Sequence, residues 1–287
     1  MTRDGTAAPG TLYVVSTPIG NMGDFSFRAA EVLRSVSGIL AEDTRHTRGL
    51  LTRYDITTPM ISYHEHIEAK MTPALIARLL DGESFALVSD AGTPLVSDPG
   101  ARLVDASIAA GISVIPIPGA SALLAALVAS GIAADRFTFF GFLTRSGAER
   151  RLALDEITSL GHTVVLYESP NRLAETLGEL EQRGNGDRRA AVAREMTKQF
   201  EEIRRGTVSE LRAYYKDTPP RGEVVLVLEG AAVHAPSEDV VRDRVRALRA
   251  AGMSTRDVAG LVAEELGVPK RLAYRLAQES GVAESTE

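Results

Sequence analysis

No cysteine occurs among the 287 residues, which excludes disulfides, thiolate zinc sites, iron-sulfur clusters and cysteine nucleophiles together and fits a reducing compartment. A secretory leader is not expected either: MTRDGTAAPG carries an acid, glycine and proline but no apolar core, so residues 1–10 read as a flexible tail. The longest uncharged stretch runs between Asp105 and Asp135, and Gly111, Pro116, Pro118 and Gly119 break it where a strand would hand over to a helix. No membrane span is expected, and a cytoplasmic location follows. Positive charge is not in excess: 32 basic against 38 acidic residues leave −6, which argues against nonspecific coating of nucleic acid through a global field.

What is present suits a folded chain of two domains with an appendage. Hydrophobic residues make up 44% and charged residues 24%, and the length is about twice a typical domain of roughly 100–150 residues. Short β-branched runs at 11–16, 38–41, 60–63, 85–89 and 113–116 alternate with amphipathic stretches, the first of which places Ala29, Ala30, Leu33 and Val36 on one face after the candidate caps Asp24 and Ser26. This predicts an α/β domain over 11–118 with a mostly parallel sheet covered on both faces. Further strands are predicted at 137–143, 163–168, 190–195, 201–206 and 223–230. The gap between the third and fourth of these is too short for a parallel crossover, so the second α/β domain, 119–233, should carry a mixed sheet.

From 234 to 287 no strand is predicted. Ser254 is placed to open a capping box with Asp257, Gly267 to end that helix and Pro269 to start the next, a helix-turn-helix shape. Between Val241 and Ala277 stand eight basic and four acidic residues. That balance suggests a polyanionic partner, although a solvated helical cap explains it equally well.

Three loops follow strands of the first domain: STPIGNMGD from Ser16, LVSDAGTPLVSDPG from Leu87 and PIPGAS from Pro116. Neither GxGxxG nor the lysine of a P-loop is present, so dinucleotide and nucleoside triphosphate readings lose support. Glycine and proline at strand ends instead let backbone groups approach a ligand, and three such loops at one sheet edge converge on a crevice. Asp98 reads as a cap for the following helix, and Asp90 as an acceptor for a ligand amine or hydroxyl. His64 and His66 have no third ligand in view, so no metal site is expected.

Taken in order, TPIGN, AEDTRHT, LVSDAGTPLVSDPG, PGAS, YESPNR, AREMTK and RGEVVLVLEG resemble the tetrapyrrole-methylase superfamily of S-adenosylmethionine enzymes. Within it they are similar to the bacterial branch that methylates the ribose 2'-hydroxyl of a cytidine in the decoding region of 16S rRNA. The resemblance implies two α/β domains of the tetrapyrrole-methylase type plus a small C-terminal helical domain, with S-adenosyl-L-methionine held between the α/β domains. Carried over by motif, Asp90, Gly92, Thr93, Pro94 and Leu95 would meet the ribose and methionine part, and Ser121 and Ala122 the amino-acid end. Leu166, Tyr167, Met196, Gly222 and Glu223 would wall the adenine. It also implies a homodimer and, as partner, 16S rRNA within the small ribosomal subunit.

Methyl transfer to a hydroxyl needs alignment first and then a base or a cation near the developing alkoxide. Asp43, His46, Glu195 and Lys198 are the catalytic candidates, with Glu168 of YESPNR beside them. Arg45 and Arg48 in the donor-rich AEDTRHT loop, and Arg256, Lys270, Arg271 and Arg275 in the tail, are candidates for RNA contact. Arg145, Arg150 and Arg151 could extend that surface. Two other functions fit the same residues: a methylase of a tetrapyrrole precursor, or a small-subunit assembly protein without turnover.

Overall fold

The apolar runs of the first domain form a parallel sheet, as their crossover spacing requires. The computed structural model describes residues 10–232 and 238–282; apart from Gly10, the tail expected at the N-terminus lies outside them. Strands β1 (Thr11–Val15), β2 (Gly38–Ala41), β3 (Met60–Ser62), β4 (Phe85–Val88) and β5 (Ser113–Ile117) alternate with helices α1 (Phe27–Ser35), α2 (Thr44–Arg53), α3 (Glu65–Leu80) and α4 (Ala101–Ala109). The strand order is β3-β2-β4-β1-β5, with every pair parallel. All residues of β2 and β4 are buried, because helices cover both faces. Ile39, Ala86 and Val88 pack with Leu33 and Leu50 on one side, while Leu40, Phe85 and Leu87 pack with Leu75 and Leu103 on the other. Ser26 caps α1, its Oγ accepting from Ala29 N–H at 3.1 Å, whereas Asp24 lies in the preceding 3-10 turn.

The second sheet is mixed, as predicted. After α5 (Ala122–Ser130) come β6 (Phe137–Phe142), α6 (Ala148–Ser159), β7 (Thr163–Glu168), α7 (Leu173–Leu180), β8 (Arg189–Arg194), β9 (Glu202–Thr207), α8 (Val208–Asp217) and β10 (Val224–Leu228). The order is β6-β7-β10-β8-β9; β6 and β7 are parallel and the other pairs antiparallel. Alternation along β7 sends Val165 and Tyr167 toward Ala126 and Leu127 of α5, and Val164 and Leu166 toward α6, α7 and α8.

One predicted surface residue is inside. Arg150 is 3% exposed, and its guanidinium donates to Glu179 Oε2 at 2.8 Å, Thr176 Oγ1 at 2.9 Å and Thr144 O at 3.1 Å. Its spacing from Leu154 and Ile157, both buried, puts it on the inward stripe of α6.

The residues through Ala231 form one compact unit and those from Ala232 another. In the second, α9 (Glu238–Ala250), α10 (Thr255–Leu266) and α11 (Lys270–Val282) surround Val241, Val245, Val258, Val262 and Leu276. Gly267 ends α10 at φ 63°. The box at Ser254 is half formed: Ser254 Oγ accepts from Asp257 N–H at 3.2 Å, and the short Asp257 side chain bonds that hydroxyl at 2.6 Å. Pro269 stands one residue before α11, its carbonyl accepting from Leu272 N–H at 2.8 Å. No helix among the described residues is long and apolar enough to cross a membrane.

Candidate active site

The three predicted loops meet at the carboxyl edge of the parallel sheet and are stitched together. Thr17 N–H donates to Gly92 O at 2.8 Å and Gly92 N–H to Thr17 O at 3.1 Å. Thr93 Oγ1 lies 3.0 Å from Ser16 Oγ and donates to Ala120 O at 3.3 Å. Gly92 has φ +82°, a conformation that favours glycine, and a Cβ there would crowd Ile19 Cγ2 at 3.3 Å.

Above these loops is a cavity of about 400 Å³, within the range of small-molecule sites. Of the twelve residues expected around a cofactor, Asp90, Gly92, Thr93, Ser121, Ala122, Tyr167, Gly222 and Glu223 line it. Pro94, Leu95, Leu166 and Met196 do not. Pro94 is buried, Leu95 and Met196 pack against the two cores, and the alternation of β7 turns Leu166 to the far face of its sheet. These four can reach a ligand there only through backbone groups.

Glu42, Asp98, Phe142 and Ser169 also line the cavity and were not anticipated. Asp98 is no helix cap: α4 begins after Gly100 with no side-chain cap. Burial raises the Asp98 carboxyl, a Ser89 hydrogen bond opposes this, and nearby Asp90 adds to it. Glu42 is likewise raised, first by burial and then by Asp90 and Asp98. Five carboxylates line this cavity, and no lysine, arginine or histidine does. Its electrostatics favour a cationic ligand and oppose a phosphate. Opposite them, Ser121 caps α5 and the first turn of that helix opens on the cavity, which suits a ligand carboxylate.

A stability test follows from the sign of the Glu42 shift. A raised carboxyl binds its proton more tightly in the folded state, so the ionised group costs stability above its folded pKa, and the cost disappears as pH falls toward the unfolded value. Glu42→Gln should therefore melt above the unsubstituted chain at pH 8, with the gain vanishing near pH 4, as thermal denaturation across pH would register. A gain independent of pH would contradict the assignment.

A second cavity of about 160 Å³ shares Ile19, Asp90, Ala91 and Glu223 with the first, and is completed by His46, Thr47 and Lys198. Thr47 is buried and its hydroxyl has no partner. Lys198 Nζ is 3.0 Å from Glu195 Oε1 and 3.3 Å from Glu223 Oε2. Partial burial disfavours its charge, but the two carboxylates outweigh it and hold the ammonium above the usual lysine range. Burial likewise pushes the Glu195 carboxyl up, yet Lys198 and the Glu223 backbone bring it below the ordinary value. Leu95, Ser97, Glu195 and Thr197 all have positive φ, so backbone strain collects in the two loops bordering the cavities.

Of the other candidates, Asp43, Arg45 and Arg48 line neither cavity. Asp43 caps α2, its carboxylate accepting from Arg45 N–H at 2.8 Å and from the Arg45 guanidinium at 2.7 Å, and hydrogen bonds from Arg45 hold it well below the usual carboxylate range. Its own N–H donates to Asp90 Oδ1 at 3.0 Å. Arg45 and Arg48 are exposed on α2. Glu168 touches the larger cavity but is 1% exposed and accepts from Ser169 N–H at 2.7 Å and from Thr176, which makes it part of the buried network around Arg150.

The helical tail is less basic than its central window suggests. Over residues 238–282 eight basic residues face seven acidic ones, since Glu238, Asp239 and Glu279 fall outside that window. Arg244 pairs with Glu265 at 2.9 Å and Arg275 with Glu238 at 3.0 Å. Arg256, Lys270 and Arg271 are exposed and make no ion pair among the described residues. Nor do those residues contain a cluster able to hold a metal ion.

Two α/β layers with loops stitched over one sheet edge are the architecture of a known class. Residues 11–212 match the family described as Tetrapyrrole (Corrin/Porphyrin) Methylases, and the chain belongs to it. Two solved structures share the fold: uroporphyrin-III-C-methyltransferase from Thermus thermophilus, with TM-score 0.55, 22% identity and coverage of 77% of this chain and 94% of that one, and a diphthine synthase, with TM-score 0.60, 15% identity, 77% and 89%. Much nearer in sequence are proteins named ribosomal RNA small subunit methyltransferase I. The one from Synechocystis is 47% identical over 94% of this chain and 98% of its own length, and the one from Bacillus subtilis is 41% identical over 96% of each. Within the methylase class, the chain belongs with this family of methyltransferases.

Proposed function

We propose that this protein is an S-adenosyl-L-methionine-dependent methyltransferase acting on the 2'-hydroxyl of a cytidine ribose in the decoding region of 16S rRNA. The observation that carries the reading is the pair of adjoining cavities, which share Asp90 and Glu223 but differ in that only the smaller adds His46 and Lys198. The larger is acidic, has Ser121 at a helix N-terminus and suits a ligand that is both a sulfonium cation and an amino acid. The smaller carries His46 and Lys198 and suits an acceptor whose oxygen must lose a proton.

Asp90, Gly92, Thr93, Ser121, Ala122, Tyr167, Gly222 and Glu223 would hold the methyl donor, with backbone groups of Pro94, Leu95, Leu166 and Met196 behind them. When bound, that cofactor supplies an electrophilic methyl group. His46 would accept the proton of the ribose hydroxyl. The Lys198 ammonium faces the developing oxyanion, and Glu195 fixes its position. Asp43 holds Arg45, which with Arg48 lies along the RNA backbone. Arg256, Lys270 and Arg271, and Arg275 beside them, add contacts from the tail. The division at 11–118, 119–233 and 234–287 assigns donor binding to the first two segments and RNA contact largely to the third.

A homodimer is part of the proposal. On α5, Leu124 is 50% and Val128 75% exposed one turn apart, an apolar stripe that a second copy would cover. The enzyme would act in the cytoplasm, where small ribosomal subunits are made. To test the reading, purified protein is incubated with methyl-labelled donor and either unmethylated small subunits or a tetrapyrrole precursor. Label in the RNA fraction alone is expected. Label in the tetrapyrrole, or subunit binding without any transfer, would favour one of the two alternatives.

A further inference from the structure

Behind the rim of the methyl-transfer site, the second sheet carries a separate cavity of about 180 Å³, bounded by Arg194, Glu202, Tyr214, Tyr215 and the turn from Thr218 to Arg221. Glu202 accepts from Arg194 Nε at 2.7 Å and from Arg204 Nη2 at 3.0 Å, so its charge is neutralised. The Arg204 guanidinium stacks 3.6 Å over the Tyr214 ring. Arg194 and Arg221 line the cavity with a single carboxylate, Glu202, which Arg204 also pairs, leaving a net positive concavity on an acidic protein.

Its hydrogen-bonding capacity is unmet. Tyr215 is 2% exposed and lines the cavity, yet its hydroxyl has no partner. A buried donor without a partner is destabilising, and an incoming acceptor would relieve this. Burial and then Glu202 push the Tyr215 hydroxyl up to about 12, so it is a neutral donor throughout the physiological range. Arg221 is exposed and has no ion pair among the described residues. The set is rich in donors, poor in free acceptors and sized for one phosphate group, not a whole nucleotide.

Its position ties it to the reaction. Arg221 directly precedes Gly222 and Glu223, and Arg194 pairs across the sheet with Val224, all three partners being wall residues of the larger cavity. Resting on the RNA reading above, we propose that this cavity receives a backbone phosphate of the RNA close to the nucleotide being methylated. Arg221 supplies the rim charge, and Thr218 and Tyr215 supply hydroxyl donors. The cavity that holds the methyl donor repels phosphate, so the two would divide the labour between cofactor and substrate backbone.

The test compares the full chain with Arg221→Glu and Arg221→Lys for binding to unmethylated small subunits across salt concentrations. S-adenosylhomocysteine affinity, measured by calorimetry, serves as the control for folding. Arg221→Glu should weaken subunit binding about tenfold or more and reduce the slope of log affinity against log salt by about 1. Arg221→Lys should keep most of both, and S-adenosylhomocysteine should bind all three chains alike. Subunit affinity and slope unchanged in Arg221→Glu would overturn the proposal. Inorganic phosphate is the second probe: if the unsubstituted chain binds it and Arg221→Glu does not, while subunit binding is equal in both, the cavity serves a free anion and the RNA assignment falls. An unsubstituted chain that fails to bind subunits overturns the RNA reading itself and this proposal with it; equal binding by the variant overturns the proposal alone.

Discussion

Lys198→Met is expected to lower methyl transfer to small subunits by about 10²–10³-fold, the loss that removal of one oxyanion-stabilising donor typically causes. Methionine keeps the stem that packs against Gly20 and deletes only the ammonium. That ammonium sits between Glu195 and Glu223 on the smaller cavity, and its neighbours hold it protonated, so the role proposed for it is that of a cation and not of a base. Deleting it would leave Asp90 and Glu223 on the smaller cavity without the ammonium, which disfavours the developing negative charge further. Because Lys198 does not line the larger cavity, S-adenosylhomocysteine affinity should change by no more than about 2-fold, well under the 1.4 kcal/mol that a tenfold change represents. Single-turnover assays with saturating donor, together with calorimetry, separate the two effects. A parallel loss of donor affinity and rate would assign Lys198 to cofactor binding instead.

The largest expected effect on stability comes from a residue remote from the chemistry. Arg150→Ala removes a buried cation that serves Glu179, Thr176 and Thr144 O at once. Thr176 also donates to Glu168, so the network reaches the cavity wall. Breaking a buried ion pair from one side costs about 3–5 kcal/mol, because the partner stays buried without its counter-charge. Glu179 is 25% exposed at its side chain, and water can partly replace the lost partner, which points to the lower end. At about 2–4 °C per kcal/mol for a domain of this size, the melting temperature should fall by roughly 6–12 °C. Arg151→Ala, one position further round the exposed side of α6, should shift it by no more than about 1–2 °C. Equal shifts would mean that the network contributes nothing.

These two residues also mark where the sequence was and was not legible. Hydrophobic periodicity found every strand within a residue or two, since alternation and β-branched content report directly on burial. The mixed second sheet followed from one short connection. Loops with closely spaced glycine and proline identified the sheet edge that carries the crevice, and eight of the twelve cofactor candidates line it. Arg150 was misplaced because charge suggested a surface, although its helical spacing from Leu154 and Ile157 carried the opposite signal. Asp98 looked like a cap because Asp-Pro often precedes a helix; the positive φ at Ser97 and Gly100 turns this loop differently, and no one-dimensional pattern reports it. Glu42 was passed over beside the more conspicuous Asp43, whose carboxylate is spent on capping α2. The tail looked basic because the counted window excluded the acids at its two ends, which fold back as ion-pair partners.

Methyl transfer to a cytidine ribose can be read from the position of the transferred group. Small subunits lacking the modification are incubated with protein and isotopically labelled donor, the 16S rRNA is digested to nucleosides, and the labelled product is resolved by mass spectrometry. Label is expected in 2'-O-methylcytidine only, and should be lost in Lys198→Met. Label on a nucleobase, or on the ribose of a different nucleoside, would contradict the proposed reaction.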